Sequence, residues 1–430
     1  MTVQRVKQIT ALTELIPEKY LNYDSKNLVE LLGSFDKQQV DFLSIAVLVD
    51  DVKEPVTIPG LEIKEGDLAV PQEPFIKIRP ILTIEQLASV EYGGGGNVVL
   101  PAAALGVKTG IMGYVGEDIE GGLFIGAMKS HSVNPFGVVI NKGYRTDVCF
   151  APMADTGERA PLKFFEDAGK YFDPNDARVK ERLIFLNPKI VQISYSGLFE
   201  KGADLDGGKR LADGIRWIKK NLESLVMVDT HTYSKEPSRY DCLKPSLEVA
   251  DMFVCSDKEV ELIVPQYGIK SKQGIKEQKQ AFLSYLKKNY CKGNEARLYA
   301  VTSPEKTAVL YYNPNGTTEQ IEVENWFFTT KEHIVDATGA GDSWRAGLNA
   351  YILNHLEAFK SGSLNIKEAA QFANLTARLY ISGKGIEAFK HCNGTYDRLL
   401  RVVSGNKPEK DLSDLREVYG VILNVGMNCK

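Results

Sequence analysis

The 430-residue chain is 43% hydrophobic and 25% charged, the composition of a soluble globular protein of one large domain or two. Its 52 basic and 56 acidic residues give a net charge of -4, which argues against nucleic acid or an anionic membrane as main partner, and no apolar run is long enough for a membrane span. The 6 cysteines form no CxxC pair, the 5 histidines show no metal-ligand spacing, and the first 17 residues lack an apolar signal core, so a cytoplasmic, metal-free framework is expected.

Residues 1–37 read as an N-terminal helical extension, with Leu28, Leu31 and Leu32 at helical spacing before Gly33-Ser34. From Phe42 to Val49 the chain is almost continuously apolar and ends in Asp50 and Asp51, the pattern of a strand buried on both faces of a parallel sheet. Such strands present ligand groups at their C-terminal ends, so Asp50 reads either as a polyol-binding carboxylate or as a plain loop carboxylate. Prolines 55, 59, 71, 74 and 80 among alternating apolar positions predict short edge strands over 52–90. Tyr92 then opens a run of glycines, Gly93, Gly94, Gly95 and Gly96, followed by Asn97 and a helix that closes at Leu105-Gly106. Four glycines exceed the needs of a cap. Such backbone freedom is expected where main chain lies against a ligand, with Asn97 as donor and acceptor.

Gly110 to Gly121 reads as strand, turn and helix, and alternation over 138–163 predicts a small sheet with the edge strands. That sheet, from about 52–90 and 138–170, would be a lid. Strand-like runs at Ile190–Ser194, Leu225–Asp229, Met252–Cys255 and Leu298–Thr302 alternate with helical patterns at 207–222, 258–263 and 273–290. The repetition predicts an α/β fold, a mostly parallel doubly wound sheet with helices on both faces. Aromatic and β-branched residues from Trp326 to Val335 predict a strand leading into Asp336-Ala337-Thr338-Gly339-Ala340-Gly341-Asp342 and an apolar helix.

The first amides of a helix lack intrahelical acceptors and carry the positive end of its dipole, so the NH groups of Gly339, Ala340 and Gly341 make an anion site. Asp342 is then either a helix-terminus charge or a general base beside that cradle. Arg345 reads as a solvated helix-face residue, the alternative being a reach back to Asp342 or to a phosphate. Ile366–Ile381 is helical; the GxGxxA of 383–388 follows a helix rather than a strand and reads as a turn, and 401–430 as a C-terminal helical tail.

The two glycine motifs, about 240 residues apart, together resemble the ribokinase/PfkB family of carbohydrate and nucleoside kinases. Its N-terminal signature is matched by Gly93, Gly95, Asn97, Leu105 and Gly106, continued by Gly113, Gly116, Asp118 and Gly121, and its C-terminal signature by Asp336 to Asp342. The resemblance implies a three-layer αβα sandwich over 38–400 and transfer of the γ-phosphoryl of ATP, with Mg2+, to a hydroxyl of a sugar or nucleoside. By the same resemblance Asp342 looks like the catalytic base, and the amides of Gly339, Ala340 and Gly341 like the anion hole. Asp50, Gly94, Gly95 and Asn97 look like acceptor contacts, and Asp336 with the Thr338 backbone like a monovalent-cation (K+) site. Ser256 and Glu259 stand where the family has an Asn and a Glu tied to Mg2+ and phosphate, while Thr302 to Thr307 stand at the nucleotide loop without its glycines. A nucleoside acceptor, stacked on Tyr92, and a catalytically impaired binding or scaffold protein are the alternatives. Lid strands either pair between subunits as a homodimer or are covered within one chain.

Overall fold

A computed structural model describes residues 39–52, 90–150, 162–164, 168–199, 206–230, 237–271, 274–327, 334, 337–383, 386, 389 and 396–405. The expected N-terminal extension, the lid strands within 53–89 and the tail beyond 405 lie outside these residues. In chain order the described strands are β1 (Phe42–Ile45), β2 (Leu48–Val52), β3 (Val90–Gly94), β4 (Thr109–Gly116), β5 (Asn134–Asn141), β6 (Asp147–Phe150) and β7 (Leu162–Phe164). They continue with β8 (Ile190–Ile193), β9 (Leu225–Asp229), β10 (Met252–Ser256), β11 (Arg297–Thr302), β12 (Lys306–Tyr312) and β13 (Thr318–Glu324).

Nine strands form one sheet in the order β13-β12-β11-β10-β9-β8-β1-β4-β5. From β11 to β5 every pairing is parallel, and β12 and β13 add an antiparallel edge. Successive side chains alternate between two cores, as strand geometry requires. Phe42, Ile111, Ile190, Met227, Met252 and Leu298 face one, and Leu43, Met112, Val191, Val226, Phe253 and Tyr299 the other. On the first face pack α1 (Gly96–Ala104), α2 (Ile119–Ser130) and three later helices; on the second pack α3 (Ala177–Leu186), α4 (Lys209–Leu222), α5 (Lys244–Val249), α6 (Asp257–Gln266) and α7 (Ile275–Tyr290). The later helices of the first face are α8 (Ala340–Asn354), α10 (Ile366–Ile381) and α11 (Tyr396–Gly405), with the short α9 (Leu356–Ser361) between the first two. Helix α4 illustrates the sequence logic: Leu211, Ile215 and Ile218 recur at helical spacing and are buried, each contributing about 1.5–3 kcal/mol.

The three-layer α/β sandwich expected from the sequence is therefore present, with three corrections. The apolar run from Phe42 does not make one strand: Phe42–Ile45 is the centre of the main sheet, Ala46 and Val47 cross over, and Leu48–Val52 opens a second sheet in the order β3-β2-β6-β7. A run buried on both faces reads the same whether it stays in one sheet or changes sheets, so the break had no signal. The small sheet is supplied by 147–150 and 162–164 with 48–52 and 90–94, whereas Asn134–Asn141 belongs to the main sheet. Finally, Trp326 and Phe327 form a turn rather than a strand, fixed by the Asn325 side chain accepting from the Phe327 N–H at 3.0 Å. The rest of that expected strand, apart from Ile334, lies outside the described residues.

Candidate active site

In a doubly wound sheet, ligands bind outside the carboxyl ends of the strands, near the point where strand order reverses. Here β1 sits between β4 and β8, and the C-terminal ends of β8, β9, β10 and β11 carry Tyr195, Asp229, Ser256 and Thr302. Helix α8 brings its N-terminus to the same edge, because its buried face docks on the sheet: Asn349 Nδ2 donates to Gln192 Oε1 at 2.6 Å.

Gly339 is the N-cap of α8 at φ 78°, a conformation that glycine adopts without steric cost. A Cβ there would lie 2.9 Å from Tyr380 Cε1 and 3.3 Å from Asn97 Cγ, and the Tyr380 hydroxyl donates to Asn97 Oδ1 at 3.0 Å. The two glycine motifs thus meet at one place. Gly341 differs from Gly339: it is exposed, and among the described residues a Cβ would find only Arg345 Nη1, at an ordinary 3.6 Å. Among the described residues nothing demands a glycine at 341, so there the absent side chain leaves room above the helix N-terminus. Thr338 is exposed in the preceding turn, and Asp336 lies outside the described residues.

The glycine run at 93–96 has a different explanation. Gly93 and Gly94 belong to β3, Gly95 is the N-cap of α1 and Gly96 its first residue. Gly94 has φ +57°, and a Cβ on it would stand 2.1 Å from the Val47 carbonyl oxygen; one on Gly95 would stand 2.7 Å from Ala46 Cβ. These glycines clear the crossing from β1 to β2, so the need for them comes from the chain's own packing. Asp118, in the continuation of the same motif, caps α2 and ties it to Thr146, accepting from its N–H at 2.7 Å and its hydroxyl at 2.5 Å. Asp50 lies within β2, paired opposite Tyr92, and not in a loop beyond the main sheet. Tyr92 itself is half-buried, its ring edge-on to Phe124 at 5.8 Å, which is packing rather than an open stacking platform.

Asp342 is 6% exposed, and both of its oxygens are engaged. Arg345 Nη1 donates to Oδ1 at 3.0 Å, and the Tyr195 hydroxyl donates to Oδ2 at 2.5 Å. Arg345 is therefore not a solvated helix-face residue: it is 8% exposed, one turn from Asp342, on the sheet side of α8. Its Nε lies 3.5 Å from Asp229 Oδ2, an ion pair without hydrogen-bond geometry. Asp229 in turn accepts from the Tyr195 N–H at 2.7 Å and from Gln192 Nε2 at 3.1 Å. Tyr195, Asp229, Arg345 and Asp342 so close a ring.

One guanidinium serves three carboxylates. Burial pushes the Asp229 carboxyl up to about 6 against the pull of Arg345, and the nearby Asp342 charge adds to the rise. Glu259 is likewise pushed up to about 7 by burial, opposed by Arg345 and by its bonds from Ser256. Burial works against the charge of Arg345, yet Asp229, Asp342 and Glu259 hold its pKa above the ordinary value. Ser256 and Glu259 form a capping box on α6: Ser256 N–H donates to Glu259 Oε2 at 2.7 Å and its hydroxyl at 2.9 Å.

Thr302 ends β11, its hydroxyl donating to the Cys255 carbonyl at 3.3 Å. The following Ser303-Pro304-Glu305 is a short hairpin loop to β12, tied down by Lys279 Nζ to Ser303 Oγ at 3.0 Å and by Asn325 Nδ2 to the Pro304 carbonyl at 2.9 Å. Asp229, Tyr195 and Gln192 were not singled out from the sequence. Asp229 had a signal, a carboxylate ending an apolar strand; Tyr195 had none.

A helix N-terminus and buried carboxylates at the carboxyl edge of a mostly parallel sheet, with a small second sheet beside it, define a ribokinase-like α/β protein. Solved structures share this fold. A putative Ribokinase II from E. coli matches with TM-score 0.58 and 18% identity, covering 85% of this chain and 100% of that one. Anopheles gambiae adenosine kinase matches with TM-score 0.60 and 15% identity, covering 82% and 98%. Residues 67–390 match the pfkB family carbohydrate kinase, and the chain belongs to that family. Among curated relatives, the bifunctional protein HldE of Helicobacter pylori (strain G27) is 26% identical over 309 residues, and this match covers 71% of the chain and 58% of that protein's length. A probable chloroplastic fructokinase-6 of Arabidopsis thaliana is 23% identical over 324 residues, 72% of this chain and 75% of that one. Among the described residues, no helix is long and apolar enough to cross a membrane.

Proposed function

We propose that the protein transfers the γ-phosphoryl of ATP to a hydroxyl of a sugar or sugar-like acceptor, with Asp342 as general base. One observation carries this reading: a buried carboxylate stands in the first turn of α8 directly beside Gly341, an exposed glycine whose absent side chain no packing among the described residues requires. The acceptor oxygen forms its bond to the γ-phosphorus as the bond to the ADP oxygen breaks, and the acceptor proton passes to Asp342. The amides of Gly339, Ala340 and Gly341 face the charge on the transferred group. Such chemistry depends on positioning and charge stabilisation more than on covalent work by the protein. Asn97, against Gly339, and Asp50, on the lid strand, are the acceptor contacts in this reading.

The residues present fit Mg2+. Arg345 is paired with Asp229 and Asp342, and Glu259 adds a third buried carboxylate in its field, so acidic oxygens outnumber the one guanidinium at this edge. Glu259 would hold it through water. When bound, the ion neutralises phosphate charge. Solved structures of a putative Ribokinase II from E. coli, in complex with ATP and Mg2+, and of a fructokinase with bound ATP from Xylella fastidiosa support the donor assignment by fold. K+ at Asp336 and the Thr338 backbone, and a homodimer through the lid sheet, complete the proposal.

The test is turnover with ATP, Mg2+ and a panel of sugars and nucleosides, read as ADP release and as phosphorylated product by mass spectrometry. A phosphorylated sugar is the expected result, and a nucleoside product would move the acceptor class. A second reading, a binding protein without catalysis, is favoured by the tied loop at Ser303-Pro304-Glu305 and by the closed ring on Asp342. No heat of ATP binding at millimolar nucleotide would select it.

A further inference from the structure

The geometry points to Tyr195 as a latch on the base: a positioning residue whose hydroxyl holds Asp342 Oδ2 and keeps it from activating water until an acceptor hydroxyl takes its place. The inference rests on the phosphoryl-transfer reading above.

Arg345 Nη1 holds Oδ1 of Asp342 at 3.0 Å, and the Tyr195 O–H sits at 2.5 Å on Oδ2, the oxygen that faces an incoming hydroxyl in this reading. A base must come within hydrogen-bond reach of the proton that it removes, so phenol and acceptor compete for one position. The phenol is a suitable occupant because it is itself an O–H donor to that oxygen. Burial, with the charge of Asp342 next, raises its pKa well above the ordinary value, so it donates without surrendering its proton.

Tyr195 is also aimed. It lies two residues past the end of β8, its φ of 57° is left-handed and unfavourable for a bulky side chain, and its N–H is bonded to Asp229 at 2.7 Å. Asp229 is in turn paired with Arg345, so the backbone and the hydroxyl of Tyr195 are fixed to the two carboxylates that Arg345 spans. The left-handed backbone that opens the 3-10 turn Ser196–Leu198, with the Tyr195 carbonyl accepting from the Leu198 N–H at 2.8 Å, is the same one that carries the hydroxyl to Asp342.

With the latch absent and no acceptor bound, water can occupy the Oδ2 position. Its oxygen then bonds to the γ-phosphorus, the bond to the ADP oxygen breaks, and its proton goes to Asp342, giving ADP and inorganic phosphate. Tyr195→Phe removes the hydroxyl and keeps the ring. In Mg2+ and ATP without acceptor, its release of inorganic phosphate is expected to exceed that of the wild type by about fivefold or more, and the excess to vanish in Tyr195→Phe/Asp342→Asn. ATP affinity by calorimetry should stay within about twofold, as expected of a folded protein with an intact nucleotide site. Tyr195→Asn, whose side chain tolerates the left-handed backbone but is too short for Asp342, is held to the same outcome. Where the panel supplies an acceptor, KM for it should fall more than kcat in Tyr195→Phe. Hydrolysis no faster than wild type in both variants, or an excess that survives Asp342→Asn, overturns the latch alone. Absence of ATP binding in every variant, wild type included, overturns the phosphoryl-transfer reading and the latch with it.

Discussion

Arg345 shows what a single side chain can hide in a sequence. An Arg three residues after an Asp on a helix is usually a solvated pair worth a few tenths of a kcal/mol. Here the helix is buried on that side, and the guanidinium becomes the counter-charge for Asp342 and Asp229, with Glu259 in its field. Glu259 carries a consequence for stability. Its pKa rises from 4.5 to about 7 on folding, chiefly through burial, so its contribution is fully present below pH 4.5 and is lost as pH rises through 7. Glu259→Gln keeps a capping box and removes the titration. Its melting temperature is therefore expected to gain on wild type between pH 5 and pH 8 in apo protein, followed by differential scanning fluorimetry. A gap that does not grow with pH would mean that Glu259 ionises as freely folded as unfolded.

At the scale of elements, the strand and helix runs from Ile190 to Thr302 were legible because each repeats a short β-branched run and an amphipathic helix. Less legible were places where one pattern serves two structures. Phe42–Val49 changes sheets at Ala46 without interrupting its apolar run, and Trp326 is aromatic in a turn. Glycine had the same ambiguity, resolved by what a Cβ would meet. Gly94→Ala would drive a methyl into the Val47 carbonyl at a left-handed φ, and a loss of more than about 2 kcal/mol by urea denaturation is expected. Among the described residues Gly341→Ala meets only Arg345 at 3.6 Å, so stability should stay within about 1 kcal/mol while turnover falls, because the methyl occupies the space over the helix amides. Equal losses of stability in the two variants would remove the distinction between a packing glycine and a ligand glycine.

Across the whole molecule, the candidate site draws on segments far apart in sequence: Asn97 after β3, Tyr195 after β8, Asp229 at the end of β9, Glu259 in α6 and Asp342 in α8. Asn97, Glu259 and Asp342 stood out as candidates in the sequence because they sit in locally spaced motifs that resemble the family's. Tyr195 is set by β8 ending beside β9, a tertiary fact with no local pattern. What the parallel sheet contributes is convergence, with four strand ends and one helix dipole directed at the same edge. The account stands on Asp342 as the base at that edge. The direct measurement is kcat and ATP affinity of Asp342→Asn with Mg2+ and an acceptor phosphorylated by the wild type. A fall in kcat of about 1,000-fold or more with ATP affinity within about threefold is predicted. An Asn variant that retains wild-type kcat would contradict it.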